Sequence, residues 1–148
     1  MEQQTAVEVR EANKAHRANW EEWADTARQD VTGERNLFNT MAWARLKIKS
    51  WDAVLKEHTD RLAAHPLDAL SWSGDFVQAA ANYTAAYHLT ELFDMGATQE
   101  DMHDEVLRSL LNKSNTATSR STSAMSNLTD DAERVAWADV YRRLKGRF

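Results

Sequence analysis

Very few residues in this 148-residue chain can break a regular backbone outright: Pro66 and the four glycines Gly33, Gly74, Gly96 and Gly146. A β-sandwich or barrel needs a turn roughly every 8–12 residues, and each turn draws on Gly, Pro, Asn or Asp. So sparse a supply of breakers predicts long helices joined by short junctions. The apolar pattern agrees. After Thr5 and Glu8, which have capping-box spacing, the residues Val9, Ala12, His16, Trp20, Trp23, Ala27 and Val31 recur at intervals of three and four. This is one face of a helix of about seven turns.

Past Thr32-Gly33 a second stripe runs through Leu37, Met41, Ala44, Ile48, Trp51, Leu55, His58 and Leu62, alternating four and three. Such a seam predicts close helix–helix packing. Trp51, between Ile48 and Leu55, is expected to be buried by it, and Trp51→Ala to cost about 3–5 kcal/mol. His65-Pro66 ends this helix. A third begins near Asp68, is alanine-rich at its centre (QAAANYTAAY), and closes at Met95-Gly96. Thr98 and Asp101 cap a fourth helix bearing Met102, Val106 and Leu110. Residues 114–126 hold eight Ser or Thr in thirteen, side chains that compete for backbone hydrogen bonds, and the stretch 114–128 reads as a weak helix or linker. Thr129, Asp130, Asp131 and Glu133 then open a last helix, closed by Gly146. The expectation is all-α: one domain over residues 1–148, an antiparallel bundle of about five helices.

Composition bounds the chemistry. The absence of cysteine excludes disulfides, thiolate metal sites and a cysteine nucleophile. Neither a glycine-rich phosphate loop nor a Gly-x-Ser-x-Gly elbow occurs, so no catalytic residue and no cofactor are assigned. No apolar run approaches the ~20 residues of a membrane span, and the N-terminus lacks a signal-peptide core. A cytoplasmic location without membrane contact is expected.

Several short motifs touch known chemistry. Glu100-x-x-His103 has the spacing of ferritin-like di-iron bundles, where both side chains reach a metal from one helix face. The full site requires a second such pair and two further glutamates from facing helices, and only a single pair occurs here. Glu21-Glu22-x-x-Asp25 and Glu91-x-x-Asp94 are similar to the acidic pairs of all-helical, Mg²⁺-dependent nucleotide pyrophosphohydrolases, at a wider separation than that family has. Trp72-Ser73-Gly74 resembles the Trp-x-Gly turn of small secreted helical-hairpin proteins, and Tyr87-x-x-x-Glu91 their export signal, which comes too soon after the turn here. From these, Glu100 and His103 are the candidate metal ligands.

Tryptophan and charge carry the stronger signals. Six tryptophans are several times a normal share. Most must be core, but Trp20 and Trp23 sit three apart and Trp43 lies off its seam, positions suited to a groove or subunit interface. The net charge of −5 is unevenly spread. Residues 66–113 carry two basic and eight acidic groups, whereas the end of the chain carries Arg142, Arg143, Lys145 and Arg147. Segregation of this kind steers association. The leading expectation is a non-catalytic interaction module, of the class that includes assembly subunits and small inhibitory or adaptor proteins, phage-encoded ones among them. It would bind a protein partner or itself through Trp20, Trp23, Trp43 and the four tail cations. The alternatives are a metal-dependent bundle using Glu100 and His103, and a weak nucleic-acid binder using the basic tail.

Overall fold

The structure, a computed structural model, describes residues 5–29, 33–117 and 124–146. These residues form six helices: α1 (Ala6–Ala18), α2 (Trp20–Gln29), α3 (Gly33–Ala64), α4 (Ala69–Asp94), α5 (Gln99–Ala117) and α6 (Ala124–Leu144). A 3-10 turn over Pro66–Asp68 joins α3 to α4. There is no strand among the described residues, so the all-helical class holds; no described helix is long and apolar enough to cross a membrane.

The expected count of five becomes six because the first stripe is divided at Asn19. Its backbone leaves the helical region (φ −117°, ψ 55°) while its N–H still donates to Ala15 O at 2.9 Å. The Trp23 N–H then donates to Asn19 O at 3.0 Å, restarting the ladder. Asparagine suits such a joint, because its short polar side chain favours non-helical backbone. The apolar spacing continues across it, since a one-residue bend changes the axis without changing the inward face.

The last helix differs in the other direction. It starts by Ala124, so Thr129, Asp130 and Asp131 stand inside α6 rather than at its cap. Serine and threonine cost a helix only a few tenths of a kcal/mol each, and the buried stripe Ala132, Ala136, Val140 and Leu144 holds α6 against the bundle. The expectation for 118–123 lies outside the described residues. Gly74, part of the Trp-x-Gly motif, falls within α4 and not at a turn.

Helix α3 packs on α4, and α6 packs on α3, α4 and α5. Aromatic pairs order α3 against α4 in opposite senses: Trp51 meets Tyr83 and His58 meets Phe76. The small side chains of Ala81, Ala85 and Ala86, all buried, let neighbouring backbones approach α4. Its C-terminal half continues into Leu89 and Phe93, which meet Leu37, Phe38 and Met41 of α3 within the same core.

The junctions use the chemistry expected of them. Thr5 Oγ1 accepts the Glu8 N–H at 3.2 Å, and Thr98 and Asp101 exchange reciprocal bonds at 3.0 and 3.1 Å. Gly96 ends α4 at φ +91°, and a Cβ there would meet the Arg10 backbone at 3.0 Å. That close approach seats α1 across the α4–α5 turn. From α1, the buried Asn13 donates to Phe93 O at 2.8 Å, which also accepts the Gly96 N–H at 3.1 Å, and to Ala97 O at 3.0 Å in the turn after α4.

Candidate interaction surface

The middle of α3 has an unusual charge pattern. Residues 35–51 contain Arg35, Arg45, Lys47 and Lys49 and no carboxylate. Elsewhere arginines find acids: Arg17 pairs with Asp94, Arg28 with Asp25, Arg108 with Glu105 and Arg134 with Asp131. Among the described residues none of the four α3 cations has an ion pair. Arg45 instead places its guanidinium 5.7 Å from the centre of the Trp20 ring. Leu46, 60% exposed, stands among them.

This face is not flat. On its α6 side, a concavity of about 580 Å³ is lined by Arg35, Asn39, Leu46 and Lys47 together with Asp139 and Arg143. On its α2 side, another of about 360 Å³ lies between Arg28, Phe38, Ala42 and Arg45. Where α1, α2, α3 and α4 converge, a cavity of about 330 Å³ descends from Arg17, Arg45 and Lys49 past Trp20 and Ile48 to Met41 and Phe93. Met41 is 2% exposed and Phe93 0%, so these two core side chains close the cavity from below.

Behind it, α1 and α2 are locked to α3 by a three-residue polar joint. The Trp23 indole N–H donates to Glu34 Oε1 at 2.8 Å, and His16 Nε2 lies 3.3 Å from the same oxygen. The His16 ring stacks on Trp23 with centroids 4.7 Å apart. Burial holds the His16 pKa below its ordinary value of 6.5, and the Glu34 carboxylate opposes that shift. Glu34 therefore satisfies an indole that the core would otherwise orphan.

The predicted site residues divide sharply. Trp20 is half-buried and forms a wall of the deep cavity, edge-on to Trp23 and Phe93 at 5.1 and 6.1 Å. Trp23 and Trp43 are buried, 3% and 6% exposed, because the Asn19 bend turns α2 onto α3 and α6 covers Trp43's side of α3, where the edge of Trp43 lines the concavity between α3 and α6. The described tail cations lean on their own bundle. Arg142 and Arg143 each reach Asp139 at 3.6 Å, Arg143 also lies over the Trp43 ring at 5.8 Å, and Lys145 sits 5.6 Å from the Tyr141 ring centre. Arg147 lies outside the described residues.

Glu100 is exposed in the first turn of α5, and His103 packs against Tyr141 with Nδ1 3.5 Å from Asp104. No group of three His, Asp or Glu side chains placed to hold a metal occurs among the described residues. The acidic pairs of α2 and α4 are likewise not assembled, Asp94 being held by Arg17. The α3 cations are hidden in the sequence because residues 1–65 nearly balance as a whole; a 17-residue window, Arg35 to Trp51, isolates them.

No protein-family model, no curated protein and no solved structure matches this chain.

Proposed function

We propose that this chain is a non-catalytic interaction module that docks an acidic protein surface on the outer face of α3. The supporting observation is a set of four cations, Arg35, Arg45, Lys47 and Lys49, that have no ion pair among the described residues and surround the exposed Leu46. The chain carries a net charge of −5, yet among the described residues no carboxylate pairs with these cations. An acidic partner would supply the missing counter-charges, accelerate encounter by long-range attraction, and cover Leu46 and the edge of Trp20 as the apolar centre of the contact.

The test is charge reversal on this face. Wild-type protein is expected to capture its partner from source lysate at low salt, and a variant carrying R35E, R45E and K49E to lose it. These exposed cations have no ion pairs to break, so the variant's unfolding free energy should move by less than ~1 kcal/mol. Capture of the same protein by the variant would overturn the reading.

A second reading keeps the surface and changes the partner. Helix α5 exposes Glu100, Asp101 and Asp104, and this acidic turn on another copy is the complement of the α3 face. Light scattering across a salt series decides it: assembly at 50 mM salt that dissolves at 500 mM, and is absent in the reversed variant, supports self-association.

A further inference from the structure

We infer that the cavity between α1, α2, α3 and α4 is a binding site for a small amphiphilic carboxylate, an anionic head on an apolar body of about ten heavy atoms. Its depth and its chemistry both point to such a ligand. The open apolar lining is Trp20 and Ile48, closed below by the buried Met41 and Phe93; Thr90 stands beside them, and the mouth carries Arg17, Arg45 and Lys49. One mouth cation, Arg17, is neutralised by Asp94; the other two have no carboxylate partner among the described residues. A pocket that is apolar below and cationic above is matched by a molecule with the opposite charge at one end and hydrocarbon at the other.

Size narrows the class. The cavity, of about 330 Å³ and open on one side, is at the small end of small-molecule sites. An eight-carbon carboxylate has ten heavy atoms. Longer chains would have to leave through the mouth, and inorganic phosphate would leave the floor empty. Arg45 is already positioned for the head group, since its guanidinium is braced 5.7 Å from the Trp20 ring centre and presents planar donors suited to a carboxylate. This inference stands apart from the macromolecular docking proposed above, because its probe is a small molecule titrated into the isolated chain.

The experiment is calorimetric titration of the full chain with octanoate, octan-1-ol, hexanoate and inorganic phosphate, with the tryptophan indole N–H signals followed by NMR. Octanoate should bind saturably at one site per chain and shift the Trp20 indole signal. Hexanoate should bind about fifteenfold more weakly, since each methylene is worth about fourfold. Octan-1-ol should bind at least about tenfold more weakly for want of the head-group bond. A variant carrying R45Q and K49Q should lose about tenfold for octanoate while its melting temperature stays within ~2 °C, because neither residue holds a structural ion pair. The inference is overturned if octanoate gives no saturable signal, if the alcohol binds as well as the acid, if phosphate binds as tightly as octanoate, or if the double variant binds octanoate unchanged.

Discussion

The two halves of α3 carry the same apolar rhythm and meet different fates. In the first half Leu37, Met41 and Ala44 are fully enclosed; in the second, Leu55 is 42% exposed and Leu62 43%. The alternating spacing is the same on both sides of Ile48, and leucine occurs on each. What differs is cover. The first half lies under α2 and against α4 and α6, with α1 closing over the end of α4. The second half leans on α4 through a run of rings: Tyr83 on Trp51 at 4.8 Å, Phe76 on Trp51 at 5.6 Å, and His58 on Phe76 at 3.6 Å. A seam in sequence therefore states which face of a helix is apolar. The number of neighbours that reach this face decides how much of it is removed from water.

Truncation in the enclosed half should have the largest effect. Trp23→Ala removes a 3%-exposed ring that contacts His16, Trp20, Phe38 and Phe93, and it leaves Glu34 without its indole donor. The expected loss is about 3–5 kcal/mol from the ring, with about 1 kcal/mol more from the lost hydrogen bond, because Glu34 stays open to solvent and beside His16. Chemical denaturation measures it. A loss below ~2 kcal/mol would show that α2 contributes little to the core and would erase the contrast between the two halves.

Trp51→Ala tests the other half. Its full burial was the expectation from the seam, and the structure makes it half-buried in a stack of rings. The cost should fall to about 1–3 kcal/mol, between that of a surface and a core aromatic. Measured side by side in the same denaturant series, the two tryptophans should differ by about 2 kcal/mol or more. Equal losses would mean that the stacked rings are as well enclosed as the core.

This pair of residues also shows what was legible beforehand. The helical class, the stop at Pro66, the Gly96 and Gly146 caps and the Thr98–Asp101 box follow from local rules, because each is settled within a few residues. The deep cavity and the Asn13 bridge were not legible. Asn13 joins carbonyls 80 and 84 residues away, and no local pattern marks a polar residue that will meet them. Trp20, Trp23 and Trp43 looked alike as candidates, but a single bend at Asn19 decides that Trp20 walls a cavity while Trp23 fills the core. The cationic stretch of α3 was present in the sequence and was hidden by averaging over 65 residues that nearly cancel.

A smaller effect should appear with pH, at the joint of the enclosed half. His16 titrates below 6.5 in the folded chain, chiefly because burial disfavours the imidazolium, while an unfolded histidine titrates near ~6.5. Between these two values the unfolded chain binds more protons, so stability falls as pH is lowered through that window and is flat above it. His16→Gln should flatten this dependence. Chemical denaturation at pH 7.5, 6.5 and 5.5 reads it. A wild-type stability that rises on acidification would mean that Glu34 outweighs burial and that the ring is charged in the native joint.

The smallest effect is expected at the open end. Leu62 lies in the last turn of α3 and Leu55 two turns before it, both partly open to solvent. Glutamine has nearly the helix propensity of leucine, so Leu62→Gln removes apolar contact while leaving the helix intact. With over two-fifths of the residue already in water, the loss should be under ~1 kcal/mol. The measurement is most informative when repeated over protein concentration. If the loss is small and constant, the open end is a true surface of the isolated chain, and the halves of α3 differ as the cover over them differs. If the loss exceeds ~2 kcal/mol and grows with wild-type concentration, another copy covers this end in solution, since a partner that binds only the native state adds stability in proportion to the logarithm of its concentration. The contrast within α3 would then be a property of the monomer alone.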